Sequence, residues 1–350
     1  MTNTKEVEFR NKVSWYNFIL CMLVVCIHSQ NMYIFTNNVP WINTIITFFI
    51  ERIAICAVAG FFLCSSFLFY RNLTWKNMIE KLKRRINTLV IPFLMWNLIY
   101  YLIHFTARKI PYLGGLFGCQ IPLNIQEILH SIFLYKYNPV FWFMMYLIIF
   151  SYLSPLIYLL LKQKWVGLFI VIVTCYLSFT SALAPFIHPK ILDLFNWSIC
   201  YLVGAYSGLH LQNVCMTKQK KFALFSSFLV AIVCFYFAFI VENSAWIMSY
   251  RIFGAMVIWY LLWILNIPKV QHWMQNTFFI YAIHQIVALF LNKIGCIVLG
   301  TSMYAGGIVF LLIPLFILLL SNVFERISSR FFPHIWSILS GGRTKKIQTI

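Results

Sequence analysis

The sequence predicts an all-α polytopic membrane protein, a bundle of about ten transmembrane helices with its N- and C-termini in the cytoplasm. Of the 350 residues, 62% are hydrophobic and only 10% are charged, whereas soluble domains are about 45–50% apolar and about 25% charged. The apolar residues form long unbroken runs, unlike the alternating pattern of transmembrane strands. A soluble, a disordered and a disulfide-stapled chain are therefore all excluded.

Ten apolar runs justify the predicted helices, because each crossing of a bilayer needs about 20 apolar residues. They form a single membrane domain over residues 1–350, and they leave no stretch long enough for a separate soluble domain. The longest connection, between the third and fourth spans, contains a stretch that favours a short interfacial helix. The predicted spans lie near residues 14–36, 52–70, 87–107, 139–161, 165–185, 191–211, 221–241, 246–266, 276–299 and 304–324.

The basic residues predict the orientation. With the N-terminus placed in the cytoplasm, 20 of the 27 Lys and Arg residues fall in cytoplasmic segments and seven fall outside, as the positive-inside rule requires. We therefore expect a multi-pass protein of the inner (plasma) membrane. The formal net charge of +19 follows from loops beside anionic lipid headgroups, so we expect no nucleic-acid partner.

Several chemistries lack their sequence signals. The ten cysteines include no CxxC pair and mostly lie within apolar runs, where they act as small hydrophobes; neither disulfides nor a metal site is indicated. No phosphate-binding GxxxxGK[ST] motif is present. Carboxylates are rare within the spans, which weakens the hypothesis of an ion-coupled transporter.

The first span carries a polar stripe. Asn17, Cys21, Val24, His28 and Asn31 are spaced to share one helix face, and such a face must look into the bundle or a water-filled cavity. An ionisable side chain at this depth is a functional candidate. A histidine that only bonds across helices for packing remains the alternative.

The third span has a similar stripe, formed by Asn97, Tyr101, His104 and Arg108. Tyr101 and Arg108 are equally consistent with interfacial anchors. On the cytoplasmic side of this span, Lys81, Arg84 and Arg85 belong to a basic cluster that is able to bind phosphates, although topology charges are an alternative. Further polar candidates are Arg52, Ser65, Trp142, Tyr281 and His284.

Six segments, in order, resemble the acyltransferase-3 family of integral membrane acyltransferases. The first matches a helix that ends in Val-Val-x-x-His, and the fifth matches a Tyr-x-x-His segment. Together the six cover essentially the whole chain: WYNFILCMLVVCIHSQ (15–30), ERIAICAVAGFFLCSSFLFY (51–70), KLKRRINTLVIPFLMWNLIYY (81–101), NPVFWFMMYLIIFSYLSPLI (138–157), NTFFIYAIHQIV (276–287) and FPHIWSILSGGR (332–343).

The resemblance implies a reaction, in which an acyl group, most often acetyl, moves from cytoplasmic acyl-CoA to a hydroxyl of an extracytoplasmic or lipid-linked glycan. His28 matches the essential histidine of the family and is expected to act as general base. Two positions depart from the pattern, because Asn17 replaces the usual arginine and Ser65-Ser66 replaces Ser-Gly.

The same reading assigns the remaining candidates. Lys81, Arg84 and Arg85 would bind the phosphates of acyl-CoA, which serves as a co-substrate, with no permanently bound cofactor and no metal. Asn17, Arg52, Ser65, Asn97, Tyr101, Trp142, Tyr281 and His284 would line or position the cavity. The expected partners are membrane lipid, the glycan or lipid-linked sugar acceptor, and acyl-CoA. A non-catalytic carrier or flippase for lipid-linked sugars is the alternative function.

Overall fold

The computed structural model describes residues 3–31, 34–36, 38–109, 121–216 and 220–342. It is 83% helical, and the described part of the chain has no strand. Seven of the described helices are long and apolar enough to cross a membrane, or up to nine if each of two bent helix pairs forms one span. The all-helical membrane fold is therefore confirmed. The count of ten and the cytoplasmic termini stay predictions, and residues 343–350 lie outside the described ranges.

The helices follow one another with short breaks, and several join directly through a π-helical turn. Their bounds are α1 Asn3–Ser29, α2 Pro40–Phe48, α3 Cys56–Tyr70, α4 Trp75–Arg85, α5 Ile91–Ala107, α6 Ile125–Leu134, α7 Trp142–Tyr152, α8 Ser154–Leu161, α9 Lys164–Phe179, α10 Pro189–His210, α11 Gln212–Met216, α12 Lys220–Phe235, α13 Trp246–Ile264, α14 Thr277–Leu299, α15 Met303–Phe331 and α16 Pro333–Leu339. The predicted interfacial helix corresponds to α6.

Helix ends differ from the predicted spans, because hydropathy marks the apolar stretch rather than the helix. Helix α1 begins at Asn3, eleven residues earlier than predicted, since its Lys, Glu and Arg residues favour helix as well. It ends at Ser29 instead of residue 36. Asn31 therefore lies beyond the helix and outside the polar stripe that the sequence predicted.

Prolines divide the predicted span 139–161. A short 3₁₀ turn begins at Pro139, and a break at Leu153 separates α7 from α8, which carries Pro155 in its first turn. Proline lacks the N–H that a continuous helix requires at such a position. Helix α10 has 22 residues but does not belong to the seven apolar spans, since Lys190 and Asp193 lower its hydropathy.

The chain divides into two compact units. Unit 1 comprises Met1–Ile27, Thr47–Lys81 and Phe150–Gln275, and in it α3 packs against both α10 and α13. A Cβ atom on Gly204 would lie 2.4 Å from the carbonyl oxygen of Leu63, and one on Gly208 would lie 2.6 Å from that of Phe67. These two glycines therefore let α10 approach the backbone of α3, as the GxxxG spacing predicts.

Unit 2 comprises His28–Ile46, Leu82–Ile149 and Asn276–Ile350. Helix α14 packs against α15, and α5 packs against α6 and α16. The indole of Trp96 donates a hydrogen bond of 3.0 Å to the carbonyl of Leu339, and the buried ring of Phe279 lies against Trp336. These contacts fix α14, the helix that carries Tyr281 and His284.

Candidate functional site

Two histidines face each other in unit 2. The imidazole of His28, in the last turn of α1, lies 5.0 Å from that of His284 in α14, measured between ring centroids, with the planes inclined by 57°. His28 is half-buried and His284 is fully buried. Two histidines that the sequence places 256 residues apart therefore form one site.

The hydrogen bond of His284 fixes its tautomer. Its Nδ1 lies 2.5 Å from the carbonyl oxygen of Tyr281, and because a carbonyl only accepts, Nδ1 must carry the proton. In a neutral imidazole the other nitrogen then holds a lone pair. That nitrogen, Nε2, is buried and makes no hydrogen bond within the described part of the chain. His284 thus presents a hydrogen-bond acceptor with no donor opposite it.

Aromatic residues hold the Tyr281–His284 turn in place. The ring of Tyr281 stacks on Phe141 at 5.5 Å with an inclination of 9°, and its hydroxyl donates to the carbonyl of Val140. The hydroxyl of Tyr100 donates to the carbonyl of Ala282 at 2.9 Å. The hydroxyl of Tyr281, a residue predicted to position a substrate, is therefore bonded to the backbone. The contacts of Tyr100 and Phe141 with this turn were not predictable from the sequence, because nothing in its spacing relates them to Tyr281.

The end of α1 is tied to α14 close to His28. The buried amide of Asn292 donates hydrogen bonds to the carbonyls of Ser29 at 3.1 Å and Ala288 at 2.9 Å. A C-terminal carbonyl of a helix lacks an intrahelical partner, so this amide satisfies it and restrains the turn that carries His28. The role of Asn292 was not predictable from the sequence, because a single asparagine in an apolar run forms no spacing pattern with other polar residues.

Asn97 and Tyr101 contact the segment around α6. The amide of Asn97 donates to the carbonyl of Ile132 at 3.0 Å, and the hydroxyl of Tyr101 donates to the carbonyl of Pro122 at 3.3 Å. Nearby, Tyr137 donates to the carboxylate of Glu127. In the structure, Asn97 and Tyr101 thus use their donors on backbone carbonyls, and their role in lining or positioning the cavity stays a prediction.

The basic cluster is divided in its contacts. The ammonium group of Lys81, in unit 1, donates to the carbonyls of Phe69 at 2.6 Å and Arg71 at 2.8 Å. Two of its three donors are thus used at the C-terminal end of α3. Arg84 and Arg85 belong to unit 2, where Arg84 is exposed and Arg85 is half-buried.

The other predicted residues lie in both units. Asn17 and Ser65 are half-buried in unit 1. Arg52, also in unit 1, pairs with the carboxylate of Glu51 at 3.2 Å and lies 4.1 Å above the ring of Phe239. Trp142 is in unit 2 and contacts the ring of Tyr146. Among the predicted site residues, unit 1 therefore holds Asn17, Arg52, Ser65 and Lys81, and unit 2 holds the other eight: His28, Arg84, Arg85, Asn97, Tyr101, Trp142, Tyr281 and His284.

Unit 1 contains an apolar cavity of about 80 Å³. The residues around it include Phe9, Tyr16, Cys64 and Trp259. None of the predicted site residues lines it. Because its lining is apolar, we interpret the cavity as a gap in the packing between helices and not as part of the predicted site.

Unit 2 contains several buried polar atoms that have no hydrogen-bond partner among the described residues. Within the described ranges they include both side-chain atoms of Asn138, Oδ1 of Asn97, Oε1 of Gln285 and Nε2 of His284. Leaving such a group unsatisfied costs about 1–3 kcal/mol, and a ligand or an ordered water is what commonly offsets this cost. The arrangement is suited to hydrogen-bonding a polar molecule and to moving a proton at an imidazole.

Comparison with known families gives one match. The sequence profile of the acyltransferase-3 family, described as an acyltransferase domain, matches residues 14–323. No curated protein and no solved structure gave a significant match to the chain. The match covers nearly the whole described membrane region.

Proposed function

The chain belongs to the acyltransferase-3 family, and we propose that it moves an acyl group, acetyl above all, from cytoplasmic acyl-CoA to a hydroxyl of an extracytoplasmic or lipid-linked glycan. The family makes the chain a membrane acyltransferase in general. The pair formed by His28 and His284 is the observation that supports the finer assignment, because it places two imidazoles, which can accept protons, side by side.

In the proposed reaction His28 is the general base. The acceptor hydroxyl gives its proton to His28 while its oxygen attacks the thioester carbonyl carbon. The C–S bond then breaks, and the departing CoA thiolate takes the proton from the imidazolium. The products are a sugar ester and free CoA, and no other reactant is needed. General-base catalysis of this kind contributes about 10²–10⁴ in rate.

We assign His284 a positioning role. Its tautomer leaves the Nε2 lone pair unsatisfied, and sugars carry hydroxyl donors beside the one that reacts. A hydrogen bond from such a hydroxyl to Nε2 would hold the sugar next to His28. The centroid distance of 5.0 Å leaves the two imidazoles close enough to bind neighbouring groups of one sugar.

For the donor, the proposal uses Lys81, Arg84 and Arg85 as ligands of the CoA phosphates. Guanidinium groups suit phosphates because their N–H donors form a fixed fork. The cluster lies on the cytoplasmic side in the proposed topology of ten spans with both termini inside the plasma membrane. The distribution of basic residues supports this topology, and labelling of a C-terminal tag by an impermeant reagent in intact cells would contradict it.

The first experiment replaces His28 with Ala and with Gln. We expect each purified variant to lose at least about 100-fold in the rate of acetyl transfer from acetyl-CoA to surface glycan isolated from cells that lack the gene. The unfolding temperature should change little, because one interhelical hydrogen bond contributes only about 0.6–2 kcal/mol. Gln should not rescue the reaction, since an amide does not take up a proton.

His130→Gln is the matched control, because His130 is an exposed histidine of the same unit and should leave the rate unchanged. A His28→Gln variant that keeps most of its transfer rate would refute the base assignment. If the variants lose folding and activity together, His28 serves helix packing rather than catalysis.

A further inference from the structure

Arg251 is a cation in a membrane-spanning helix of unit 1, and none of the described residues gives it an oxygen partner. It lies in the second turn of α13, one of the helices apolar enough to cross a membrane. Its guanidinium carbon lies 5.1 Å from the ring centre of Trp197 on α10. Its Nε is buried and makes no hydrogen bond to any described residue.

The surroundings show that Arg251 faces the interior of unit 1 rather than lipid. The ionisable groups around it include the thiols of Cys200 and Cys56 and the carboxylate of Asp193, and both cysteines are buried. One turn further on, a Cβ atom on Gly254 would lie 2.4 Å from the sulfur of Cys56. Helices α13 and α3 are therefore in close contact beside the arginine.

Three other cations of unit 1 have oxygen partners. Lys12 donates to the carbonyls that end α13, at 2.8 and 3.1 Å. Arg71 pairs with Glu6 at 2.6 Å, and Arg52 pairs with Glu51. For Arg251 no ion pair within 4.0 Å is found in the described ranges. A charge within a membrane protein is costly, and an unpaired one is retained at the expense of stability.

We propose that Arg251 and Trp197 form a binding site for an oxyanion, a phosphate or a carboxylate. The guanidinium lies over the ring of Trp197, and a guanidinium held in this way can still use its N–H donors for bidentate hydrogen bonds to an oxyanion. Arg251 is half-buried as a residue, so part of it remains accessible. The site does not depend on the acyl-transfer proposal, since it concerns binding alone and uses none of the residues assigned to the reaction.

The test measures binding to the full-length protein in a neutral detergent. The probes are phosphatidic acid, diacylglycerol with the same chains, sodium phosphate and sodium glucuronate, and the readout is the ligand-induced rise in unfolding temperature. We expect an anionic probe to stabilise the wild type, and Arg251→Gln to bind it about 10- to 100-fold more weakly. Arg251→Lys should bind with intermediate affinity, because it keeps the charge without the fork.

Arg330→Gln is the matched control, since Arg330 also lies over an aromatic ring, that of Phe331 at 5.7 Å, but is exposed. Its affinity should equal that of the wild type. Stabilisation by phosphatidic acid and not by sodium phosphate would identify a lipid-borne phosphate; stabilisation by soluble phosphate or by glucuronate would identify a soluble phosphate or an acidic sugar.

A stability measurement separates binding from a structural role. Without any probe, Arg251→Met should unfold at the same or a higher temperature than the wild type, because it removes a half-buried cation for which the described residues supply no ion pair. A fall of more than about 4 °C would show that Arg251 holds unit 1 together and would overturn the proposal. So would equal affinity of wild type and Arg251→Gln, or the absence of stabilisation by every anionic probe.

Discussion

Replacing His284 with Leu tests whether this histidine positions the sugar or only stabilises the fold. The change removes the Nδ1–H bond to Tyr281, worth about 0.5–1.5 kcal/mol. It also removes the buried and unpartnered Nε2, whose desolvation costs about 1–3 kcal/mol. The carbonyl of Tyr281 does not lose its last donor, because in the helix it also accepts from the backbone N–H of Gln285. The free energy of unfolding should therefore stay constant or rise by about 1 kcal/mol.

Activity should respond in the opposite direction. Losing the acceptor leaves a hydroxyl of the bound sugar unsatisfied, again at about 1–3 kcal/mol, which corresponds to about 5- to 150-fold in the transfer rate. We expect His284→Gln to lose less than His284→Leu, because its amide oxygen is also an acceptor. The assay is acetyl transfer to isolated surface glycan, with unfolding temperature recorded for each variant.

The double variant His28→Ala/His284→Leu adds a coupling test. If His284 positions the sugar for His28, removing both should cost little more than removing His28 alone, because groups that act as a unit are strongly non-additive. Full multiplication of the two losses would show independent roles. An unchanged rate in His284→Leu, or a fall in stability that matches the fall in rate, would refute the positioning role.

Three further predictions concern contacts around the site and the helix packing. Tyr281→Phe removes the hydroxyl that donates to the buried Val140 carbonyl, so thermal unfolding should show a loss of about 1–2 kcal/mol; an unchanged midpoint would contradict this bond. Gly204→Ala places a Cβ against the α3 backbone and should lower the free energy of unfolding by about 1–3 kcal/mol. Chemical denaturation measures this loss, and an unchanged free energy of unfolding would show that α10 can move away from α3 without cost. The double variant Arg84→Gln/Arg85→Gln should bind CoA more weakly than the wild type, with the largest difference at low salt. If the two proteins bind CoA equally at all salt concentrations, both arginines only set the membrane topology.

The membrane class and the family were predictable from sequence, because both depend on features that sequence carries directly. A chain in lipid must form helices or a closed barrel to satisfy its backbone groups, and the long unbroken apolar runs exclude the alternating strands of a barrel. His28 and His284 were each noticed as ionisable residues within apolar runs. Their proximity was not predictable, since helix periodicity relates residues only within one helix.

Helix ends and bonding partners were less predictable. Asn31 was assigned to the face of His28 because the apolar run continues past the end of α1, yet the helix stops at Ser29. Asn97 and Tyr101 were predicted to line or position the cavity, and the backbone carbonyls to which they donate were not predictable. Sequence spacing reports which face a polar side chain occupies, but it does not report which acceptor lies opposite.

The contacts of Lys81 change how the donor site has to be tested. Its ammonium donates to two carbonyls at the C-terminal end of α3, the negative end of the helix dipole, where a cation is stabilising. Replacing it therefore removes a helix cap as well as a charge, and lost CoA binding in a variant that includes Lys81 would have two causes. Arg84 is exposed, and its replacement leaves that cap in place. A salt-dependent loss of CoA affinity in the arginine variants alone, with an unchanged unfolding temperature, is thus the result that would assign phosphate binding to the cluster.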